Sequence, residues 1–448
     1  MSEISEHNET VSLPFSDNEY DELTETINEM MKEHITEYVL NMSKTDYMSS
    51  IVDDITHVLY QPFEDSQILS IEEYEPFRDF VDSIANEWFD NNMDYCPHRT
   101  NCHTLSNTLI HSFGLNEEFA NNYISDKLKI IYEKDASNPA QRTPEWYLHR
   151  YNMLTASNLY KALGSDSNKN SLIYEKCKPL ETEYTESKWI STEGSLHWGV
   201  KYEPLTVLLY EHLTGAKVGH FGCIVHPEYN FLGASPDGIV INPESPLYGR
   251  LVEIKNIYNR DMDGIPSEAY WVQTQIQMQC CDLPDCDFVE TRFKEYESKE
   301  AFLSEEDPDK KRGIILHFIK RDSTSNIPHY EYSPPSLSID QLDEWVESTT
   351  SNIDPQLILF KTHYWNLDEI CISTIYRNDA WFQGALPHFK EIWETIQRER
   401  VEGYEHRSSK KRAASIDLSD LSKGSITVIK EPIANCYIRL TDEDRTEE

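Results

Sequence analysis

Basic charge is scarce in this chain. Its 448 residues carry 40 lysines and arginines against 79 aspartates and glutamates, a formal net charge of −39. That balance excludes a protein held on nucleic acid or an anionic membrane by bulk charge, although it leaves room for a local basic groove. Long apolar runs are also missing: none approaches the ~18 residues of a membrane span. No apolar segment of the secretory type stands at the N-terminus. The nine cysteines are odd in number and scattered, which predicts free thiols in a reducing intracellular compartment. No internal repeat is present.

Aromatic residues, at 11%, supply apolar material for large cores, and the length predicts two or three units. Residues 1–15 are polar and read as disordered. Residues 16–135 read as an acidic helical domain, with helices over Asp17–Asn41, Tyr47–Leu59, Glu73–Asp90 and Glu117–Glu133 from their helical apolar spacing. Within it, Cys96, His98, Cys102 and His103 invite a zinc reading, but adjacent Cys102 and His103 suit one tetrahedral ion poorly, and a polar loop is the competing reading. Residues 142–335 form the expected α/β core. Residues 336–403 are expected as a C-terminal helical layer, with helices over Asp340–Ser348, Asn352–Ile358 and Trp381–Arg400. Residues 404–448 read as a polar, mobile tail, with a short basic run at Lys410–Arg412 and a small strand expected at Val428–Ile438.

The stretch from Gly233 to Lys255 holds the densest chemistry. Short apolar runs at Tyr229–Leu232, Gly238–Ile241 and Leu251–Lys255 are punctuated by Pro and Gly, which reads as strands. Asp237 stands at the start of one strand. Glu253 and Lys255, two apart on another, share a face. Two carboxylates and an amine on one sheet face suit a divalent cation and a water nucleophile.

Four flanking features could complete a site. Thr143 and Pro144 start a helix that carries Arg150, and Thr155 or Ser157 caps the next, which Gly164 closes. A helix N-terminus with hydroxyls beside an arginine is an anion site, or an ordinary cap with a surface arginine. Asp166–Lys188 reads as a polar, locally basic loop, facing either a phosphate backbone or solvent. Glu203 falls on the apolar side of a helix with Leu196, Val200 and Val207, as a third acid or a surface residue. Tyr270, Gln273 and Gln277 share one face of a later helix, either inward or exposed.

In order, Arg150, Ser157, Glu203, Pro236-Asp237, Glu253-Ile254-Lys255, Tyr270 and Gln273 resemble the PD-(D/E)XK nucleases, and specifically the YqaJ-like viral recombinase, or lambda-exonuclease-like, branch. The motifs that carry the resemblance span Arg142 to Phe293: Arg142-Thr-Pro-Glu-Trp, Trp198-Gly-x-x-Tyr-Glu203, Gly233-Ala-Ser-Pro-Asp-Gly238 and Glu253-x-Lys255. It implies a restriction-endonuclease-like core, a mixed β-sheet flanked by helices, in an intracellular enzyme of the kind found in large eukaryotic DNA viruses. It implies metal ligation by Asp237, Glu253 and the backbone carbonyl of Ile254, with Glu203 in support. Lys255 would position or activate water, acting as proton acceptor if its pKa is depressed. Gln273 and Tyr270 would complete the active site, and Arg150, Thr155, Ser157 and Ser235 would handle a phosphate. The expected cofactor is Mg²⁺, with Mn²⁺ as a substitute. The expected partner is DNA with duplex ends, along with a single-strand annealing or binding protein. An exonuclease acting 5′ to 3′ leads; an endonuclease on the same core and an inactive DNA-binding scaffold compete. An iron–sulfur cluster on Cys177, Cys280, Cys281 and Cys286 is a further alternative.

Overall fold

Ser16 opens the first helix through a capping box, its backbone N–H and hydroxyl each 2.7 Å from the Glu19 carboxylate. The structure, a computed structural model, describes residues 13–92, 99–100, 117–141, 143–180, 192, 194–258, 260–321 and 327–408. Helices α1 (Asp17–Glu37), α2 (Tyr47–Asp65) and α3 (Tyr74–Asn91) pack on one another. Their buried stripes, such as Ile27, Met31 and Ile35, or Phe77, Val81 and Ala85, recur every three or four residues. Strand β1 (Arg99–Thr100) and helix α4 (Glu117–Ala136) follow.

The next segment builds the frame of the site. Helix α5 (Pro144–Tyr151) starts where the Thr143 hydroxyl accepts the Trp146 N–H at 3.2 Å. Strand β2 (Leu154–Thr155) leads into α6 (Ala156–Leu163), then α7 (Asp166–Cys177) and α8 (Ser195–Thr214). Gly215 ends α8 in the left-handed region, at φ 71°. Strands β3 (Val218–Gly219), β4 (Ile224–Val225), β5 (Leu232–Ala234), β6 (Gly238–Val240) and β7 (Leu251–Asn256) precede α9 (Glu268–Cys281). Then come β8 (Asp285–Tyr296), α10 (Lys299–Leu303), β9 (Arg312–Lys320), β10 (His329–Tyr332), α11 (Ile339–Asn352), β11 (Leu357–Tyr376) and α12 (Asp379–Glu402).

The main sheet is mixed, with strand order β10-β9-β11-β8-β7-β6-β3, and β1 adds to β11. β7 and β8 are parallel; the other pairs are antiparallel. A smaller sheet, β2-β5-β4, lies alongside, with β2 parallel to β5. There the backbone of β5 runs so close to Met153 that a Cβ on Gly233 would lie 2.3 Å from its sulfur. One apolar cluster runs from Ile27 and Phe77 in the N-terminal helices through Leu159 of α6 and Trp271 of α9 to Trp381 of α12. The N-terminal helices therefore share the core of the sheet domain. Asp282 ties the two together, receiving Lys127 from α4 and Arg377 at 2.8 Å.

Several expectations need correction. The segment 336–403 is not wholly helical: a 20-residue strand, β11, runs between α11 and α12, and Asn352–Ile358 leads into it instead of forming a helix. The apolar run Gly313–Lys320 reads from the sequence as a sheet-edge strand, but β9 is paired on both sides and β10 is outermost. Much of Asp166–Lys188 is helix, not loop. Ser165 caps α7 at Asn168, and Leu172, Ile173, Lys176 and Cys177 form its buried stripe. Cys96, His98, Cys102, His103 and Val428–Ile438 lie outside the described residues.

Candidate active site

Where β6 ends, a carboxylate takes over its hydrogen bonding. The β6–β7 ladder pairs Gly238 with Val252. One residue before β6, Asp237 Oδ2 accepts the Ile254 N–H at 2.7 Å. In a strand, the N–H and C=O of one residue point to the same side, so the Ile254 carbonyl faces the same gap as Asp237.

Glu253 is 1% exposed and accepts three side-chain donors. Lys255 and Gln273 Nε2 bond Oε1, the latter at 2.6 Å, and Gln277 Nε2 bonds Oε2 at 2.6 Å. Gln277 also reaches the Ser235 carbonyl at 3.3 Å. The Lys255 ammonium sits 4.8 Å from the centre of the Tyr270 ring, a cation–π contact. Strands β5–β7 supply the acids and the lysine, and α9 closes over them with its glutamines and tyrosine.

The electrostatics follow from this crowding. Burial, then the Glu253 charge, push the Asp237 carboxyl well above the usual carboxylate range, and Glu203 adds to the shift, while Lys255 and the Ile254 N–H oppose it. Burial works against the Lys255 ammonium, but Glu253 and Asp237 outweigh it and raise its pKa. A proton-acceptor role for Lys255 requires a depressed pKa; beside Glu253 and Asp237 the shift runs the other way, and Lys255 donates to Glu253. Two hard carboxylates forced together, with a main-chain carbonyl facing the gap, fit a hard divalent cation. Among the described residues no three His, Cys, Asp or Glu side chains form a ready metal-binding group.

Glu203 does not lie on a buried face. It is exposed on α8, as is Val200, while Lys201, Tyr202, Leu205 and Thr206 face inward. Its reach to Asp237 is through its charge. Thr155 occupies the first cap position of α6, but its side chain makes no capping bond, and Gly164 ends that helix in an extended conformation. Ser157 is exposed in the first turn of α6. Arg150 Nη1 lies 3.4 Å from the Ser235 hydroxyl, and its guanidinium stacks 4.7 Å from the Trp146 ring centre. The pairing of Thr155 with Gly233 docks this segment beside Ser235, two residues before Asp237.

Three participants escaped the sequence reading in whole or part. Gln277 contacts Glu253 directly. Lys176 is buried and donates to the Arg150 carbonyl at 2.9 Å, and burial, then the Arg150 charge, bring its pKa down to about 8. Glu290, 1% exposed, pairs in register with Lys255 and receives Arg260; burial raises its pKa despite that partner. Cys177, Cys280, Cys281 and Cys286 are buried free thiols. Burial raises the pKa of each, which opposes the thiolate form that an iron–sulfur cluster needs.

Residues 145–284 match the family model described as the YqaJ-like viral recombinase domain. Uncharacterized protein R354 of Acanthamoeba polyphaga mimivirus is 24% identical over 311 residues, covering 61% of this chain and 55% of that protein. The chain thus spans about half the length of this relative. Among solved structures, an alkaline exonuclease (LHK-Exo) from Laribacter hongkongensis is similar at 20% identity, covering 58% of this chain and 94% of that one, with a TM-score of 0.33. A phage related exonuclease from Haemophilus somnus 129PT is similar at 15% identity, covering 57% and 96%, with a TM-score of 0.29.

Proposed function

We propose that this chain, which carries a YqaJ-like viral recombinase domain over residues 145–284, is a divalent-cation-dependent DNA exonuclease working 5′ to 3′ from duplex ends. One observation carries the reading. The buried Glu253 carboxylate is oriented by Gln273 and Gln277, each at 2.6 Å, with Lys255 against it and Asp237 beside it. Asp237, Glu253 and the Ile254 carbonyl would hold Mg²⁺ or Mn²⁺. When bound, such an ion supplies charge neutralisation to the phosphodiester and makes a water more acidic.

The chain's own groups do the rest. Gln273 and Gln277 fix the plane of the Glu253 carboxylate, as partners of ligating carboxylates commonly do. Lys255 stays protonated beside the acids, so it donates to a phosphate oxygen or holds the attacking water. Glu203 adds negative charge at the rim of the site. Arg150 and Ser235, with Ser157 in the adjoining helix turn, form the phosphate-holding side, and a guanidinium fork suits a terminal phosphate. Lys176 adds positive charge behind them. This phosphate side supports an end-directed enzyme over one that cuts internally. The single strand exposed by such digestion is a substrate for an annealing or binding protein.

Linear duplex and covalently closed circular DNA, each incubated with Mg²⁺ and with excess EDTA, test the reading. Loss of linear DNA only, and only without EDTA, is expected. Cutting of closed circles would point to an endonuclease, and activity surviving EDTA would exclude the cation.

A further inference from the structure

A cavity of about 600 Å³ opens near the N-terminal end of α8, where the sheet strands β8, β9 and β11 come together. Tyr258 lines it, three residues beyond Lys255, so at most roughly 10 Å of chain separates it from the candidate active site. Trp198, on the same helix as Glu203, packs edge-on against Tyr258 at 5.2 Å. Phe360 forms another wall. It is the residue left without a partner by the β11 bulge, because Leu359 pairs with Phe318 and Lys361 with His317. A bulge re-aims a side chain. Here it turns Phe360 edge-on to His317, at 5.1 Å, while leaving the phenyl ring 62% exposed.

The polar walls are as telling. His317 and His363 are 3% and 7% exposed, and the Nε2 atom of each is buried without a hydrogen-bond partner. The Trp198 Nε1 atom is likewise buried and unpartnered. Leaving buried polar atoms unpaired is costly, and all three residues line the cavity, so a ligand there can offer them partners. His363 Nδ1 lies 3.2 Å from Glu295. A carboxylate only accepts, so the Nδ1 position carries a proton, and in that tautomer Nε2 is an acceptor. The Trp198 N–H is a donor. A phosphate only accepts, so it would leave an acceptor nitrogen such as His363 Nε2 unpaired. A nucleobase edge offers both donors and acceptors, and its face stacks on aromatic rings. Lys361, exposed at the mouth, makes no ion pair among the described residues and can meet the attached phosphate. Among the described residues, no three His, Cys, Asp or Glu side chains at this cavity form a metal-binding group.

We infer that this cavity holds an unpaired nucleobase of the DNA strand that flanks the bond being cut. Stacking on Tyr258 and Phe360, with hydrogen bonds to Trp198, His317 and His363, would keep the strand separated as it passes the site. The inference rests on the nuclease reading above, because it identifies the ligand as DNA.

The test measures binding of a fluorescent single-stranded oligonucleotide in EDTA, with intact and abasic versions of the oligonucleotide. Tyr258→Ala/Phe360→Ala removes two largely exposed rings, and its melting temperature is compared with wild type. If the pair perturbs folding, Phe360→Ala alone is used. Loss of at least about five-fold in affinity is expected for the variant. Abasic DNA should bind the wild type more weakly and cost the variant nothing further. Unchanged affinity in the variant, or equal wild-type affinity for intact and abasic strands, overturns the base pocket. A parallel Mg²⁺ digestion of linear duplex separates the two readings: wild-type digestion with no base effect sinks the pocket alone, and absence of both binding and digestion sinks both.

Discussion

Asp237 accepts the backbone N–H of Ile254 at 2.7 Å, standing in for the strand neighbour that β6 does not extend far enough to provide. That contact fixes one acid beside the carbonyl of Ile254 and the carboxylate of Glu253. The sheet frays by one residue, and the fraying creates the site.

The glutamines on α9 should matter for catalysis more than for folding. Gln277→Leu removes the donor to Glu253 Oε2 but keeps the side-chain size. Activity should fall about ten- to a hundred-fold, with a higher divalent-ion requirement in a titration of rate against Mg²⁺. Wild-type activity and ion dependence in this variant would remove Gln277 from the site.

Arg150→Ala should lower digestion of 5′-phosphorylated ends more than that of 5′-hydroxyl ends. Arg150 and Ser235 face each other at 3.4 Å beside the acids, and a charge-assisted contact adds about 1.5–3 kcal/mol, so a loss of about ten-fold or more is expected on phosphorylated ends. Equal losses on both substrates would contradict a terminal-phosphate role.

Stability should fall as the solution is acidified from neutrality. His226 Nδ1 accepts the N–H groups of Glu228 at 3.1 Å and Tyr229 at 3.2 Å, and burial lowers the imidazole pKa to about 4. The unfolded histidine takes its proton near 6.5. The contribution is therefore complete above pH 6.5 and is lost as pH falls towards 4, by about 3 kcal/mol. Urea melts at pH 7.5 and 4.5 measure it. His226→Asn, whose oxygen can take over the two amides, should show a smaller drop.

Arg250 tests the support beneath the site. It is 3% exposed and bonds Asp285 at 3.0 Å and Asp287 at 3.1 Å, while Tyr210 and Thr374 also donate to Asp287. Arg250→Ala strands two buried carboxylates and should cost about 3–5 kcal/mol in a denaturant melt. A change below about 1 kcal/mol would show that the network contributes little.

Some of this was legible in the sequence for local reasons. Pro236 and Gly238 punctuate β5 and β6, and the Glu253-x-Lys255 spacing places both side chains on one face, so the proximity of these acids and the lysine could be read directly. Gln277 was harder because α9 is buried nearly all round, and periodicity cannot pick the side of such a helix that faces Glu253. Glu290 depends on the parallel register that sets it beside Lys255, which no local pattern encodes. Glu203 was misplaced because α8 buries Lys201, whose charge is balanced by Glu295, so polar and apolar no longer meant outside and inside. β11 was missed because bulges at Leu359/Lys361 and Leu367/Glu369 break its two-residue alternation. Lys176 was read as a loop residue because its burial depends on the distant Arg150 carbonyl.

The most direct test follows a duplex labelled at either its 5′ or its 3′ end through a Mg²⁺ time course, with wild type and Glu253→Gln in parallel. Wild type should release the 5′ label first as short products. Glu253→Gln should still bind the duplex in a gel-shift experiment but lose more than about a hundred-fold in rate. Near-wild-type cutting by Glu253→Gln would contradict the central claim that Glu253 and its neighbours form the hydrolytic site.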